Sequence, residues 1–88
     1  MAKKMSDHMK YVIVEDHTGV ILPILFAPFL DHNRLTPGLK VHAAGFVSLQ
    51  GQTDGTVKVQ VWGKSQTLGV KSRQEDAEII ERTINPNY

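Results

Sequence analysis

The chain has 88 residues, of which 41% are hydrophobic and 22% charged, with a formal net charge of +1. This size predicts one globular domain and leaves little room for a deep substrate cavity beside its core. The near-neutral net charge excludes a long-range electrostatic field that would attract nucleic acid or anionic membranes. The absence of cysteine excludes disulfide scaffolds, thiolate zinc sites and cysteine nucleophiles, and suits the cytoplasm, which is the expected location.

The polar N-terminus precedes the first apolar segment, and Met9 could serve as an alternative start. We therefore expect residues 1–8 to be a disordered leader or a remnant of cloning, and residues 9–88 to form a single α+β domain. The longest apolar stretch, residues 20–30, contains Pro23 and Pro28. It is too short for a membrane-spanning helix, so no membrane partner is expected.

Two strands are predicted near the N-terminus, over residues 10–15 and 20–26, joined by a turn in which Gly19 can take a positive φ. The second is apolar on both faces, which predicts a central position in a sheet. Pro23 lacks the N–H that a central strand needs, so we expect a bulge there.

The middle of the chain predicts a series of turns and strands. Residues 27–35 suit a short helical turn or an irregular segment, and Thr36-Pro37-Gly38 suits a type II turn. The remaining predicted elements are a long strand (40–50), a hairpin loop (52–55), its return strand (56–62) and a weaker fifth strand (65–70).

A helix is predicted over residues 73–84, with Ser72 as its N-cap and Glu75 closing a capping box. Three acidic residues lie near its N-terminus, where they interact favourably with the helix dipole, and we interpret them as a solvated helix start: Glu75, Asp76 and Glu78. The predicted fold class is α+β, with an antiparallel sheet of about five strands. That sheet is either open or curled toward a small barrel, and the C-terminal helix packs on one face.

The predicted return strand alternates, with valines on one side and Lys58, Gln60 and Trp62 on the other. If side chains match across the pair, the neighbouring strand adds apolar residues to the Trp62 side. One helix covers one face only. The other face must be covered by residues 27–35, by curvature of the sheet into a barrel, or by a second protein chain. The predicted interaction surface is His42, Ala44, Phe46, Lys58, Gln60 and Trp62.

Residues that could carry catalysis are sparse. Two of the four histidines follow aspartates, in Asp16-His17 and Asp31-His32, but their spacing matches no metal-binding motif. Both pairs lie in predicted turns, where aspartate caps backbone N–H groups. No serine lies in a nucleophile-elbow sequence. We therefore predict no enzyme, no cofactor, no metal site and no catalytic residue.

The segments MKYVIVEDHTGVILP and WGKSQTLGVKSRQEDAEIIER resemble small uncharacterised open reading frames of phage genomes and mobile gene cassettes. The resemblance covers most of the chain between Met9 and Arg82. It implies a cytoplasmic accessory or host-interaction factor, and it assigns no role to any residue.

The leading hypothesis is a non-enzymatic protein–protein interaction module, expected to be a homodimer that pairs through the Trp62 face. A less favoured alternative is a single-stranded nucleic-acid-binding module that uses Lys58, Trp62, Lys64 and Lys71. A third is a small enzyme or ligand-binding protein, with His42 or an Asp-His pair in a pocket lined by Phe46 and Trp62.

Overall fold

The computed structural model describes residues 8–85, which form an α+β fold. The elements in chain order are β1 (His8–Glu15), β2 (Ile21–Phe26), one turn of 3₁₀ helix (His32–Arg34), β3 (Lys40–Gly51), β4 (Val57–Trp62), β5 (Lys64–Ser65), β6 (Val70–Lys71) and α1 (Gln74–Ile84). The predicted leader lies outside the described residues except for His8, which begins β1.

The main sheet has four strands in the order β2-β1-β3-β4, all neighbours antiparallel. It remains open, and the helix packs near the β4 side. The α+β class is confirmed, but the expected fifth strand of this sheet is absent from residues 8–85. No helix in the same residues is long and apolar enough to cross a bilayer.

The prediction that the second strand is central was wrong, because β2 is an edge strand. The central strand is β1, whose residues 11–14 are all fully buried. The expected bulge at Pro23 is also absent, since the β1–β2 register runs without a shift through Ile13 and Pro23. An edge strand needs hydrogen-bond donors on one side only, so Pro23 is accommodated without a bulge.

A bulge lies instead between β1 and β3. Ile13 pairs with Ala43 and Val14 with Val41, which leaves His42 as the extra residue of β3. A bulge of this kind changes which side of the strand the following residues face.

Residues 65–70 form a hairpin and not the single strand that was predicted. Strands β5 and β6 pair only with each other and make a separate small sheet. The turn between them is closed by the Gly69 N–H, which donates to the Ser65 carbonyl, and Gly69 has a positive φ of 70°. This hairpin folds back over the main sheet.

Each face of the main sheet carries an apolar cluster. The helix-side cluster comprises Tyr11, Ile13, Ala43, Val47, Val59 and Ile80. The opposite cluster comprises Val12, Val14, Phe26 and Ala44, and is packed by Leu30, Leu39, Leu68 and Val70. The segment after β2 and the β5–β6 hairpin therefore cover part of the second face from within the chain.

The start of α1 differs from the prediction by one residue. The N-cap is Arg73 and not Ser72, and the Arg73 N–H donates to Oδ2 of Asp76 at 2.8 Å. Asp76 is fully buried, so its interpretation as part of a solvated helix start was wrong. Its carboxylate also accepts a hydrogen bond from the Tyr11 hydroxyl at 2.6 Å, which ties the helix to the central strand.

Side chains of α1 and of its C-cap, Asn85, also form hydrogen bonds with backbone groups at the outer edge of β4. The Val57 N–H donates to Oδ1 of Asn85 at 2.8 Å, and Nδ2 of Asn85 donates to the Val57 carbonyl at 3.0 Å. The Val59 N–H donates to Oε2 of Glu81 at 2.9 Å. These bonds occupy backbone groups that could otherwise pair with a strand of another chain.

Candidate functional site

The part of the second face that the chain leaves uncovered spans β1, β3 and β4, and we call it the open face. Pairing places Phe46 between Lys10 and Trp62 in one row of the sheet. The next rows contain Ser48 between His8 and Gln60, then Gln50 opposite Lys58. The open face thus comprises His8, Lys10, Phe46, Ser48, Gln50, Lys58, Gln60 and Trp62. Among these residues there is no aspartate or glutamate.

An aromatic cluster occupies one end of the open face. The rings of Phe46 and Trp62 stack with their centroids 6.2 Å apart and an interplanar angle of 27°. The His8 ring lies 5.7 Å from Phe46 and 6.1 Å from Trp62. Although it is packed against two rings, Trp62 remains 44% exposed. The indole therefore presents a supported apolar surface to solvent.

The lack of a side chain at Gly63 allows Phe46 of this cluster to pack directly against the backbone. A Cβ on Gly63 would lie 2.7 Å from Cδ2 of Phe46, and the residue has a positive φ of 81°. Both features favour glycine, because a side chain would be strained by the backbone and would collide with the ring. The chain can thus turn sharply after Trp62 while Phe46 packs against the turn.

The lysines of the open face differ in their contacts. Nζ of Lys10 donates to the Leu30 carbonyl at 2.7 Å, which holds its ammonium group against the segment after β2. Lys58 is exposed and makes no ion pair within residues 8–85. The charges on this face are therefore not neutralised by carboxylates of the face itself.

The structure brings together four of the predicted surface residues: Phe46, Lys58, Gln60 and Trp62. Ala44 shares their side of the sheet but is fully buried, since the β5–β6 hairpin and the segment after β2 pack over it. His42 lies at the bulge, with Nε2 2.8 Å from Oε1 of Glu15. Ala44 and His42 therefore do not belong to the open face.

The histidine of the Asp31-His32 pair belongs to the core. His32 is only 5% exposed, and its Nε2 lies 2.8 Å from the Gly45 carbonyl. A carbonyl oxygen only accepts hydrogen bonds, so this nitrogen carries the hydrogen and donates. The ring also contacts Phe26 and Phe46 edge-on, so His32 supports the aromatic cluster from below.

The Asp16-His17 pair lies in the β1–β2 turn, as predicted. Oδ1 of Asp16 accepts hydrogen bonds from the Thr18 hydroxyl, the Thr18 N–H and the Val20 N–H. The bond from the Thr18 side chain is the main cause that lowers the pKa of Asp16. Asp54 has the same arrangement with Thr56, and these bonds likewise lower its pKa. Both carboxylates thus stabilise turns.

Within residues 8–85, no group of three or more histidine or carboxylate side chains is placed to hold a metal ion.

Sequence reasoning missed His8 and Lys10 as members of the open face. His8 was assigned to the leader, although its alternation with Lys10, Val12 and Val14 continues the strand pattern. Ser48 and Gln50 follow the same alternation from Phe46. Period-two spacing was therefore the signal that could have found all four.

The chain matches no protein-family model, and searches of curated proteins and of solved structures found no match either.

Proposed function

We propose that this chain is a non-enzymatic binding module whose open face holds a segment of single-stranded nucleic acid. The observation that carries the proposal is the Phe46–Trp62 stack, with its indole 44% exposed, on a face that has lysines and no carboxylate. Unpaired bases stack on exposed aromatic rings of a sheet, while basic side chains beside them contact phosphates.

The composition of the open face favours this function over the homodimer expected from the sequence. That expectation rested on a sheet face, carrying Phe46 and Trp62, that one helix cannot cover, and the chain itself covers the part of this face around Val12, Val14 and Ala44. Two copies that paired through the remainder would enclose the lysines of both faces in one interface without a carboxylate from either face. Like charges at an interface oppose association unless they are compensated.

The expected affinity is modest. Base–aromatic stacking contributes about 1–3 kcal/mol per base, and the open face offers one well-exposed ring. The few lysines contact only a few phosphates, so we expect a Kd of about 1–100 μM at physiological salt and tighter binding at low salt. Sequence preference should be weak, since every base has a face that can stack.

The direct test is a titration of the folded protein with short fluorescent oligonucleotides at low salt. Trp62 is the only tryptophan of the chain, so quenching of its emission reports contact at the proposed site. Trp62→Ala should reduce affinity about 5- to 150-fold, which corresponds to the loss of one stacked base. Phe29→Ala is the matched control, because Phe29 is 85% exposed and lies outside the open face.

A second variant separates stacking on bases from apolar contact with a protein. Trp62→Leu keeps an apolar side chain but cannot stack, so it should lose nucleic-acid affinity almost as fully as Trp62→Ala. Thermal unfolding followed by circular dichroism checks that both variants remain folded. Absence of binding by the wild-type protein to every homopolymer tested at low salt would reject the proposal. Sedimentation that shows a dimer dependent on Trp62 would instead support the homodimer.

A further inference from the structure

A second cationic feature lies beside the open face, in a groove between the β5–β6 hairpin and the start of α1. This groove has a volume of about 710 Å³, and its lining includes the four basic residues His42, Lys64, Lys71 and Arg73. No carboxylate is among the described residues that line it. We call it the lysine groove.

Lys64 and Lys71 are direct cross-strand partners in the hairpin. Like charges directly opposite each other destabilise a strand pair, and this hairpin has only two residues in each strand. Both residues are exposed, and neither forms an ion pair with any residue from 8 to 85. A bound anion would remove this repulsion.

The other two groups of the groove already have partners. Nη2 of Arg73 lies 2.7 Å from Oδ1 of Asp76, and its Nη1 lies 3.5 Å from Glu75. Nε2 of His42 lies 2.8 Å from Glu15. The uncompensated positive charge of the groove therefore resides on the two lysines, while Arg73 is fixed in position by a buried carboxylate.

The groove connects with the aromatic cluster through Lys64. A second concavity, of about 390 Å³ and on the other side of the hairpin, is lined by Phe46, Gly63, Lys10 and Asp31. Lys64 and Gln66 line both concavities. Lys64 thus shares one concavity with Phe46 and the other with Lys71.

We propose that the lysine groove binds phosphate groups, specifically the phosphodiesters of the strand whose bases stack on Trp62. This inference rests on the proposed function for the identity of the strand. The group that the groove recognises is a phosphate anion, whichever molecule carries it, and a pair of lysines binds such an anion as two point charges. Stacking on the open face and phosphate contact in the groove then make separable contributions to affinity.

The salt dependence of binding distinguishes the two contributions. For single strands, the slope of log K against log[salt] changes by about 0.7 for each phosphate contact. Lys64→Gln/Lys71→Gln should therefore make the slope shallower by about 1.4. Trp62→Ala should lower affinity at every salt concentration and leave the slope unchanged. Lys40→Gln/Arg34→Gln is the control, since it removes the same charge from exposed positions outside the groove and the open face.

An unchanged slope in Lys64→Gln/Lys71→Gln, with oligonucleotide binding intact, would overturn the groove assignment while the proposed function stands. A slope that changes equally in the control would also overturn it, because the effect would then come from net charge.

If the wild-type protein binds no oligonucleotide, the proposed function fails, and inorganic polyphosphate becomes the test of the groove. An increase in melting temperature with polyphosphate that requires Lys64 and Lys71 would support a phosphate site for a base-free ligand. The same increase in the double variant, or none in the wild type, would reject it.

Discussion

The hydroxyl of Tyr11 in the central strand donates a 2.6 Å hydrogen bond to Oδ2 of Asp76 in the helix, and both side chains are fully buried. Oδ2 also accepts the Arg73 N–H at 2.8 Å, and Oδ1 accepts Nε of Arg73 at 2.8 Å. A buried carboxylate is tolerated only when its charge and its hydrogen bonds are compensated. This network therefore fixes the position of the helix on the sheet.

We expect Tyr11→Phe to lower the free energy of unfolding by about 1–3 kcal/mol, because Oδ2 of Asp76 loses a donor in a buried site. Urea unfolding followed by circular dichroism measures the change. The control is Glu78→Gln, which removes an exposed ion pair with Arg82 and should cost less than about 0.5 kcal/mol. Equal stability of Tyr11→Phe and the wild type would show that this bond contributes little.

The same contact predicts a loss of stability in alkaline solution. Burial, and then the hydrogen bond to the Asp76 carboxylate, raise the pKa of Tyr11 well above its ordinary value. Because the pKa is higher in the folded than in the unfolded state, the contribution of Tyr11 is constant below about pH 10. Above that pH the unfolded chain releases the proton, and stability falls by up to about 1.4 kcal/mol per pH unit.

Urea midpoints of the wild type and Tyr11→Phe, compared between about pH 9 and pH 11, test this linkage. The stability difference between the two proteins should shrink as the pH rises. Parallel pH profiles would contradict the assignment, since other titrating groups are common to both proteins.

Gly45 lies where β3 passes close to the end of β4. A Cβ there would lie 2.5 Å from the Trp62 carbonyl oxygen and 3.0 Å from Cβ of Ser72. Backbone cannot move aside easily, so Gly45→Ala should destabilise the fold by about 1–3 kcal/mol. Gly51→Ala is the matched control, because a Cβ at Gly51 of the same strand meets nothing within 4 Å. Thermal unfolding of both variants measures the difference, and equal melting temperatures would contradict it.

Asn85 is expected to protect the outer edge of β4. Asn85→Ala removes both hydrogen bonds to the Val57 backbone, and exchange of the Val57 amide should become about five- to tenfold faster. Asn85→Asp keeps the acceptor and loses the donor, so it should preserve most of the protection. Hydrogen exchange followed by NMR measures both. Unchanged exchange in Asn85→Ala would show that Asn85 does not limit opening of this edge.

Several local features were predictable because neighbouring residues determine them. Thr36-Pro37-Gly38 forms the expected turn, with the Leu39 N–H donating to the Thr36 carbonyl and Gly38 at a φ of 83°. The β3–β4 pairing was also predicted correctly, since Phe46 lies opposite Trp62. Alternation along two strands joined by a short loop fixes which side chains share a face.

Features that depend on distant segments were not predictable in this way. The pattern of β2, apolar on both faces, suits a central strand, yet strand order placed it at the edge and β1 in the centre. The bulge that separates His42 from the open face arises where β3 meets β1. Neither feature has a signature in its own segment, because each is set by the strand that packs beside it.

The sequence by itself determined the α+β class, the turns that follow β1, precede β3 and join β3 to β4, and the side of the sheet on which Phe46 and Trp62 lie. Only the tertiary structure decided that Asp76 is buried against Tyr11 and that residues 65–70 fold into a hairpin over Ala44. The physical reason is range: turn geometry and side-chain alternation act over a few residues, whereas burial and pairing are settled by segments far apart in the chain.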